Sequence, residues 1–154
     1  MSITYMKGDL LEDSGCDYIC HQVNCQGAMN SGIAKSIKEK WPIVSDLYYR
    51  KCAFTDNLLG NIQIVNVNNE EIAIYPQYVI NMFSQEYYGY DGKRYTSYDA
   101  FWNCLHLIKQ QVPKDKVIGF PYKIGCVRGG ANWSIIYAMI AEVLKDYEVE
   151  IWEL

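Results

Sequence analysis

Cys20-His21-Gln22-Val23-Asn24-Cys25-Gln26-Gly27-Ala28-Met29-Asn30-Ser31-Gly32-Ile33-Ala34-Lys35-Ser36-Ile37 passes from a strand through a polar loop into a helix, and the rest of the chain arranges itself around it. Tyr18-Ile19-Cys20 suits a buried strand, whereas Ile33, Ala34 and Ile37 recur at helical spacing. Gly27, Asn30, Ser31 and Gly32 lie between. A loop that opens a helix leaves backbone N–H groups without intrahelical partners, with the positive end of the helix dipole behind them. The stretch is therefore a candidate anion site. The same residues also read as a plain turn, with Asn30 or Ser31 capping the helix and Gly27 reversing the chain.

With 154 residues, the chain fits one domain spanning 1–154. A domain of that size buries roughly two-thirds of its unfolded surface and needs no disulfide staples. Half of the residues are apolar and fourteen are tyrosine, which excludes a disordered chain. A net charge of −4 without a basic cluster speaks against nucleic acid as the partner, since neutralising phosphates takes several Lys or Arg on one face. A small anion held by backbone amides stays compatible. No apolar run reaches the ~18 residues of a membrane span, and no basic-then-apolar signal opens the chain, so a cytoplasmic protein with no membrane partner is expected.

Six cysteines, at 16, 20, 25, 52, 104 and 126, raise the question of zinc. None falls into paired C-x2-C spacing. Cys20 and His21 are consecutive in a strand and so point to opposite faces. The expected metal set is therefore none. Several of these cysteines sit in apolar runs, where Cys acts as a small hydrophobe.

Upstream, Ile3 to Lys7 reads as a first strand, ended by Gly8-Asp9. Asp9 stands where open α/β sheets place ligand contacts, and reads equally as a turn aspartate before Leu10–Asp13. Downstream, Pro42 stops or kinks the first helix, and Ile43, Val44, Leu47 and Tyr48 continue a helical face to about Ala53. Ile62 and Ile64, then Glu71–Tyr75, then Gln77–Phe83 suggest three strands, with Asn68-Asn69 as a hairpin turn. Their short connections look antiparallel. Ser84 to Thr96 is a loop rich in tyrosine and glycine, either a flap over a ligand or a surface loop packed by its own aromatics. Ser97 is placed to cap a helix whose Phe101, Leu105 and Ile108 share a face, with His106 at the surface or the core edge.

Val117–Pro121 is a further strand, and Tyr122 to Trp133 a second glycine-rich loop. That loop opens a helix with Ile135, Ile136, Met139, Ile140 and Val143 on its buried face. Glu148 to Trp152 alternates as a last strand. This alternation predicts a three-layer α/β/α domain around a central mixed sheet of roughly six strands. Strand, glycine loop and helix occur twice, so two helix N-termini facing one crevice would cradle a diphosphate. Neither loop is a P-loop or a G-x-G-x-x-G.

At these residues the chain resembles the macrodomain family. His21 to Gly27 with Ser31 to Ala34, and Ile124-Gly125-Cys126 through Trp133, look like the phosphate loops of the branch with yeast-type ADP-ribose 1''-phosphate phosphatase and terminal ADP-ribose glycohydrolase. Thr4 to Leu10 resembles that branch's opening strand, and Val149 to Leu154 its last. The resemblance implies that Asp9 accepts a hydrogen bond from the adenine amino group beside Leu10, and that Trp152 lies against the adenine. It also implies that backbone N–H groups of Gly32, Ile33 and Ala34, and of the Gly125, Cys126, Val127, Arg128, Gly129 and Gly130 run, hold the diphosphate. Asn24 would contact the distal ribose.

For the chemistry, the glycohydrolase branch implies a lysine adduct and an assisting aspartate, at positions that here hold Met82 or Phe83 and Gly129. Neither Met nor Phe supplies an amine. Many related loops carry an aspartate before the tryptophan, where this one has Asn132. His21 and Asn24 match the phosphatase branch, which implies hydrolysis of ADP-ribose 1''-phosphate, with His21 or a nearby polar group acting on water and loop amides stabilising phosphate charge. No cofactor is implied. A binding module for ADP-ribose or another NAD-derived nucleotide, or removal of ADP-ribose or acetyl groups from targets such as ADP-ribosylated protein, are the other readings.

Overall fold

A computed structural model describes residues 2–68 and 74–154. Six strands, β1 (Ser2–Lys7), β2 (Tyr18–Asn24), β3 (Ile62–Asn66), β4 (Tyr78–Gln85), β5 (Val117–Pro121) and β6 (Glu148–Glu153), form one sheet in the order β1-β6-β5-β2-β4-β3. All neighbours pair in parallel except β3 with β4. The expected mixed sheet is thus observed. Asn69 of the expected turn and the 71–73 part of the expected strand at Glu71–Tyr75 lie outside the described residues, and Ile74 and Tyr75 carry no strand.

The helices among the described residues are α1 (Gly32–Lys40), α2 (Pro42–Phe54), α3 (Tyr98–Gln111) and α4 (Trp133–Val143). Pro42 fits the first position of α2, where its missing N–H is no loss, so the chain breaks at Trp41 and restarts. Ser97 caps α3, its side chain accepting from the Ala100 amide, and Asn132 caps α4 by accepting from Ser134. His106 is exposed, its ring edge-on to Trp102.

Strand alternation divides the core in two. Ile19, Val23, Val79 and Phe83 pack with Ile37, Val44 and Tyr48 of α1 and α2, while Cys20, Ile80, Met82 and Ile118 pack with Phe101, Leu105, Ile136 and Ile140 of α3 and α4. β2 lies centrally with both faces covered, and its polar His21, Gln22 and Asn24 side chains are each taken up by hydrogen bonds. Because five strands run in parallel, their C-terminal ends share one rim. The loops after β1, β2, β4 and β5 all emerge there, which is where such a sheet opens a crevice.

Candidate functional site

A cleft of about 350 Å³ opens on that rim, within the usual size range of small-molecule sites. Its walls are the loop after β2 (Asn24, Ala28 and 30–34), the loop after β5 (Tyr122–Gly125 and 127–129) and the loop after β4 (Tyr88–Tyr90), over a floor of Gln22, Val23 and Gln85.

Asn24 shapes the first loop. Its Oδ1 accepts from the Gln26 amide at 2.9 Å, the Ala28 amide at 3.3 Å and the Tyr48 hydroxyl at 2.8 Å, and its Nδ2 donates to the Ala28 carbonyl at 2.9 Å. The Tyr48 hydroxyl also donates to the Asn24 carbonyl, anchoring the loop to α2. Ser31 makes no side-chain cap, and no acidic residue stands in the first turn, so the opening amides of α1 at Gly32, Ile33 and Ala34 are left facing the cleft. Gly32 holds φ +60°, a left-handed conformation, with open space on its side-chain face.

The second loop is closed by its own turns: Ile124 N–H to the Pro121 carbonyl, Cys126 N–H to Lys123, Ala131 N–H to Gly125. This corrects one expectation. The Cys126 amide is spent on the Lys123 carbonyl, and neither Cys126 nor Gly130 lines the cleft, whereas Gly125, Val127, Arg128 and Gly129 do. A side chain at Gly129 would collide with Thr96 Oγ1 and the Gly125 carbonyl. An aspartate there, as in the glycohydrolase branch, has no room. Met82 and Phe83, the positions matching that branch's lysine, are fully buried. Asn132 is occupied as the cap of α4.

Beneath both loops runs a polar network the sequence did not announce. Gln22 Nε2 donates to Gln85 Oε1 at 2.6 Å and to Thr96 Oγ1 at 2.8 Å, while Ser84 Oγ donates to Gln22 Oε1 at 2.7 Å. Thr96 Oγ1 in turn donates to the Gly125 carbonyl, and the Tyr95 and Thr96 amides donate to the Gly129 carbonyl. The tyrosine loop is therefore stitched to the second glycine loop. It is packed by its own aromatics, Gly89 lying against the Tyr95 ring, and it also lines the cleft with Tyr88 and Tyr90. Gln22, a polar residue in a strand whose first three residues are apolar, was the available signal.

His21 lies outside this cleft. It is fully buried, and its Nε2 pairs with Asn81 Oδ1 at 2.5 Å, so Nε2 carries the hydrogen. Asn81 Nδ2 donates to Gln63 Oε1 and Gln63 Nε2 to the Leu47 carbonyl, a chain that leads through β4 and β3 to α2. Burial pulls the imidazole pKa from 6.5 down to about 4, against the smaller upward pull of the Asn81 bond. Its Nδ1 is buried and has no hydrogen-bond partner among the described residues. The expectation that His21 acts on water is corrected: the ring faces the α1–α2 layer, away from Gln22, and is neutral near pH 7.

Asp9, Leu10 and Trp152 gather at the β1–β6 end of the rim, beyond the cleft proper. Asp9 Oδ1 accepts from the Leu11 amide at 2.8 Å, and the Asp9 amide donates to Asp13 Oδ2. Leu10 is buried. Trp152 is 7% exposed, packs under Gly8 and donates from Nε1 to Glu150 Oε1. Its broad face is core, whereas the half-buried Tyr122 lines the cleft wall. The six cysteines are free thiols, and burial raises Cys25 to about 12. Among the described residues no three of His, Cys, Asp and Glu gather as metal ligands, and no helix is long and apolar enough to cross a membrane.

No family model matches the chain. An ADP-ribose 1''-phosphate phosphatase of Neosartorya fischeri is 37% identical over 59 residues, 38% of this chain and 28% of that protein. A DNA ADP-ribosyl glycohydrolase of Mycobacterium tuberculosis is 28% identical over 144 residues, 94% of this chain and 39% of that protein. The chain thus spans well under half the length of these curated relatives. Among solved structures, the macrodomain of Mycobacterium tuberculosis DarG superposes with a TM-score of 0.79 at 22% identity, over 98% of this chain and 97% of that one.

Proposed function

This chain is a macrodomain by its fold, and on that premise we propose that its cleft binds ADP-ribose 1''-phosphate and hydrolyses it to ADP-ribose and phosphate. The observation that carries the proposal is the pairing of two amide-lined loops across one cleft, with Lys123 and Arg128 as the charged residues lining it. Amides at the mouth of α1 and in the 127–129 turn take the diphosphate from opposite sides, as helix-terminal and turn amides do. The adenine lies toward Asp9 and Tyr122, and the distal ribose toward Asn24, whose second Nδ2 hydrogen is left to meet it. The phosphatase named among the relatives supports this choice of substrate.

In the proposed reaction a water oxygen bonds to phosphorus and the bond from phosphorus to the anomeric oxygen breaks. A proton from the water ends on that departing oxygen, giving the 1''-hydroxyl and inorganic phosphate. Transfer of a phosphoryl group passes through a loose transition state, so the protein's work is mostly positioning and charge stabilisation. A wall of amides and cations without a histidine base suits that demand.

The same lack of a titratable base in the lining favours one second reading, a binder of ADP-ribose without turnover. Phosphate release from ADP-ribose 1''-phosphate, by the wild type and by Asn24→Ala, separates the two. Release that Asn24→Ala abolishes supports the hydrolase; binding without release by the wild type overturns it.

A further inference from the structure

The chain carries a net charge of −4, yet among the described residues those lining the cleft include two cations, Lys123 and Arg128, and no aspartate or glutamate. The two cations are placed differently. Lys123 Nζ lies 5.5 Å from the ring of Tyr122, directly after β5. The Arg128 guanidinium lies 4.2 Å over the ring of Tyr90, in the loop that follows β4.

Stacking on Tyr90 fixes the guanidinium while leaving its edge N–H donors free, the geometry that grips a phosphate in a fork. Among the described residues no carboxylate forms an ion pair with it. Sheet order locates it. β4 lies on the far side of β2 from β6 and β1, so Tyr90, in the loop after β4, and the Arg128 guanidinium drawn over it from the loop after β5 belong to the side of the cleft away from Asp9, Leu10 and Trp152. A dinucleotide-like ligand with its base at the β1–β6 end and its diphosphate between the glycine loops brings its second sugar to this end. The backbone amides meet the diphosphate whether or not that sugar is substituted, so they cannot tell the two forms apart.

We infer that Arg128, held by Tyr90, pairs with a phosphate monoester on the distal sugar and makes the site prefer the phosphorylated nucleotide over ADP-ribose. This assignment of a specificity-determining residue rests on the ADP-ribose reading above.

The test compares the KM for ADP-ribose 1''-phosphate with the inhibition constant of ADP-ribose in the wild type, Arg128→Gln, Arg128→Lys and Tyr90→Leu. Losing one charge-assisted contact predicts a fall of about tenfold in the preference for the phosphorylated form in Arg128→Gln. Arg128→Lys keeps the charge but not the fork, so its preference falls by about threefold, and Tyr90→Leu lies between the two. Raising the ionic strength erodes the preference of the wild type and leaves that of Arg128→Gln flat. Equal loss for both ligands, or no change in their ratio, overturns the assignment. A wild type that binds both nucleotides but releases no phosphate defeats the hydrolase alone, and the ratio is then read from equilibrium affinities. A wild type that binds neither defeats both.

Discussion

The two glycine loops present backbone amides to the same cleft but are held by different means. The first is shaped by one buried side chain: Asn24 takes three hydrogen bonds on Oδ1, and Tyr48 roots it in the α2 core. The second is shaped by its own backbone turns and braced from outside by Thr96 and the tyrosine loop. A loop anchored to the core is preorganised at the cost of depending on one residue. A loop braced by another loop shares its fate with that neighbour, so the two halves of the site should fail differently.

Asn24→Ala should do the most damage, since it leaves the Gln26 and Ala28 amides without their acceptor. It should cost about 3 kcal/mol of stability and weaken ADP-ribose by at least about tenfold, by denaturant titration and calorimetry. An affinity unchanged within twofold would show that the first loop keeps its shape without Asn24. Gly129→Ala places a methyl against Thr96 Oγ1 and the Gly125 carbonyl, and overpacking of that kind costs about 1–3 kcal/mol. Its effect on affinity should fall below that of Asn24→Ala, because the first loop survives intact. Thr96→Val keeps the shape but removes the bonds from Gln22 and to Gly125, for about 1 kcal/mol and a roughly threefold weaker ligand. Combining it with Gly129→Ala should add less than the sum, since both loosen one brace.

The smallest effect on the cleft belongs to His21. His21→Leu should leave phosphate release within about twofold, because the ring faces the other layer. Its signature is in stability against pH. The folded ring takes up its proton only near pH 4, whereas an unfolded one does so near 6.5, so between these values the unfolded chain holds more protons and stability falls as the pH drops. The wild type should lose up to about 3 kcal/mol across that window by equilibrium unfolding, and His21→Leu should lose less. A tenfold drop in turnover with an unchanged pH profile would return His21 to the chemistry.

Much of this was written in the sequence. Residue type and alternation marked the six strands found, Pro42 the break between α1 and α2, Ser97 a cap, and the small residues 27–32 the first loop. What alternation could not say was how far down β2 the cleft reaches. It is lined by Gln22, Val23 and Asn24 at the end of the strand, while His21 lies buried below it under the α1–α2 layer. The Gln22–Thr96 and Thr96–Gly125 contacts join residues 74 and 29 apart in the chain and leave no local pattern. The fate of the Cys126 amide depends on a turn closed by the Lys123 carbonyl, and that of Trp152 on Gly8 lying above its ring. These are facts of backbone path, not of residue type.

Titration of the ¹⁵N-labelled protein with ADP-ribose, following backbone amide shifts, addresses the two-sided grip most directly. The largest shifts should fall at Ile33 and Ala34 on one side and Val127, Arg128 and Gly129 on the other, moving with a single dissociation constant. Shifts confined to one loop, or none at millimolar nucleotide, would contradict it.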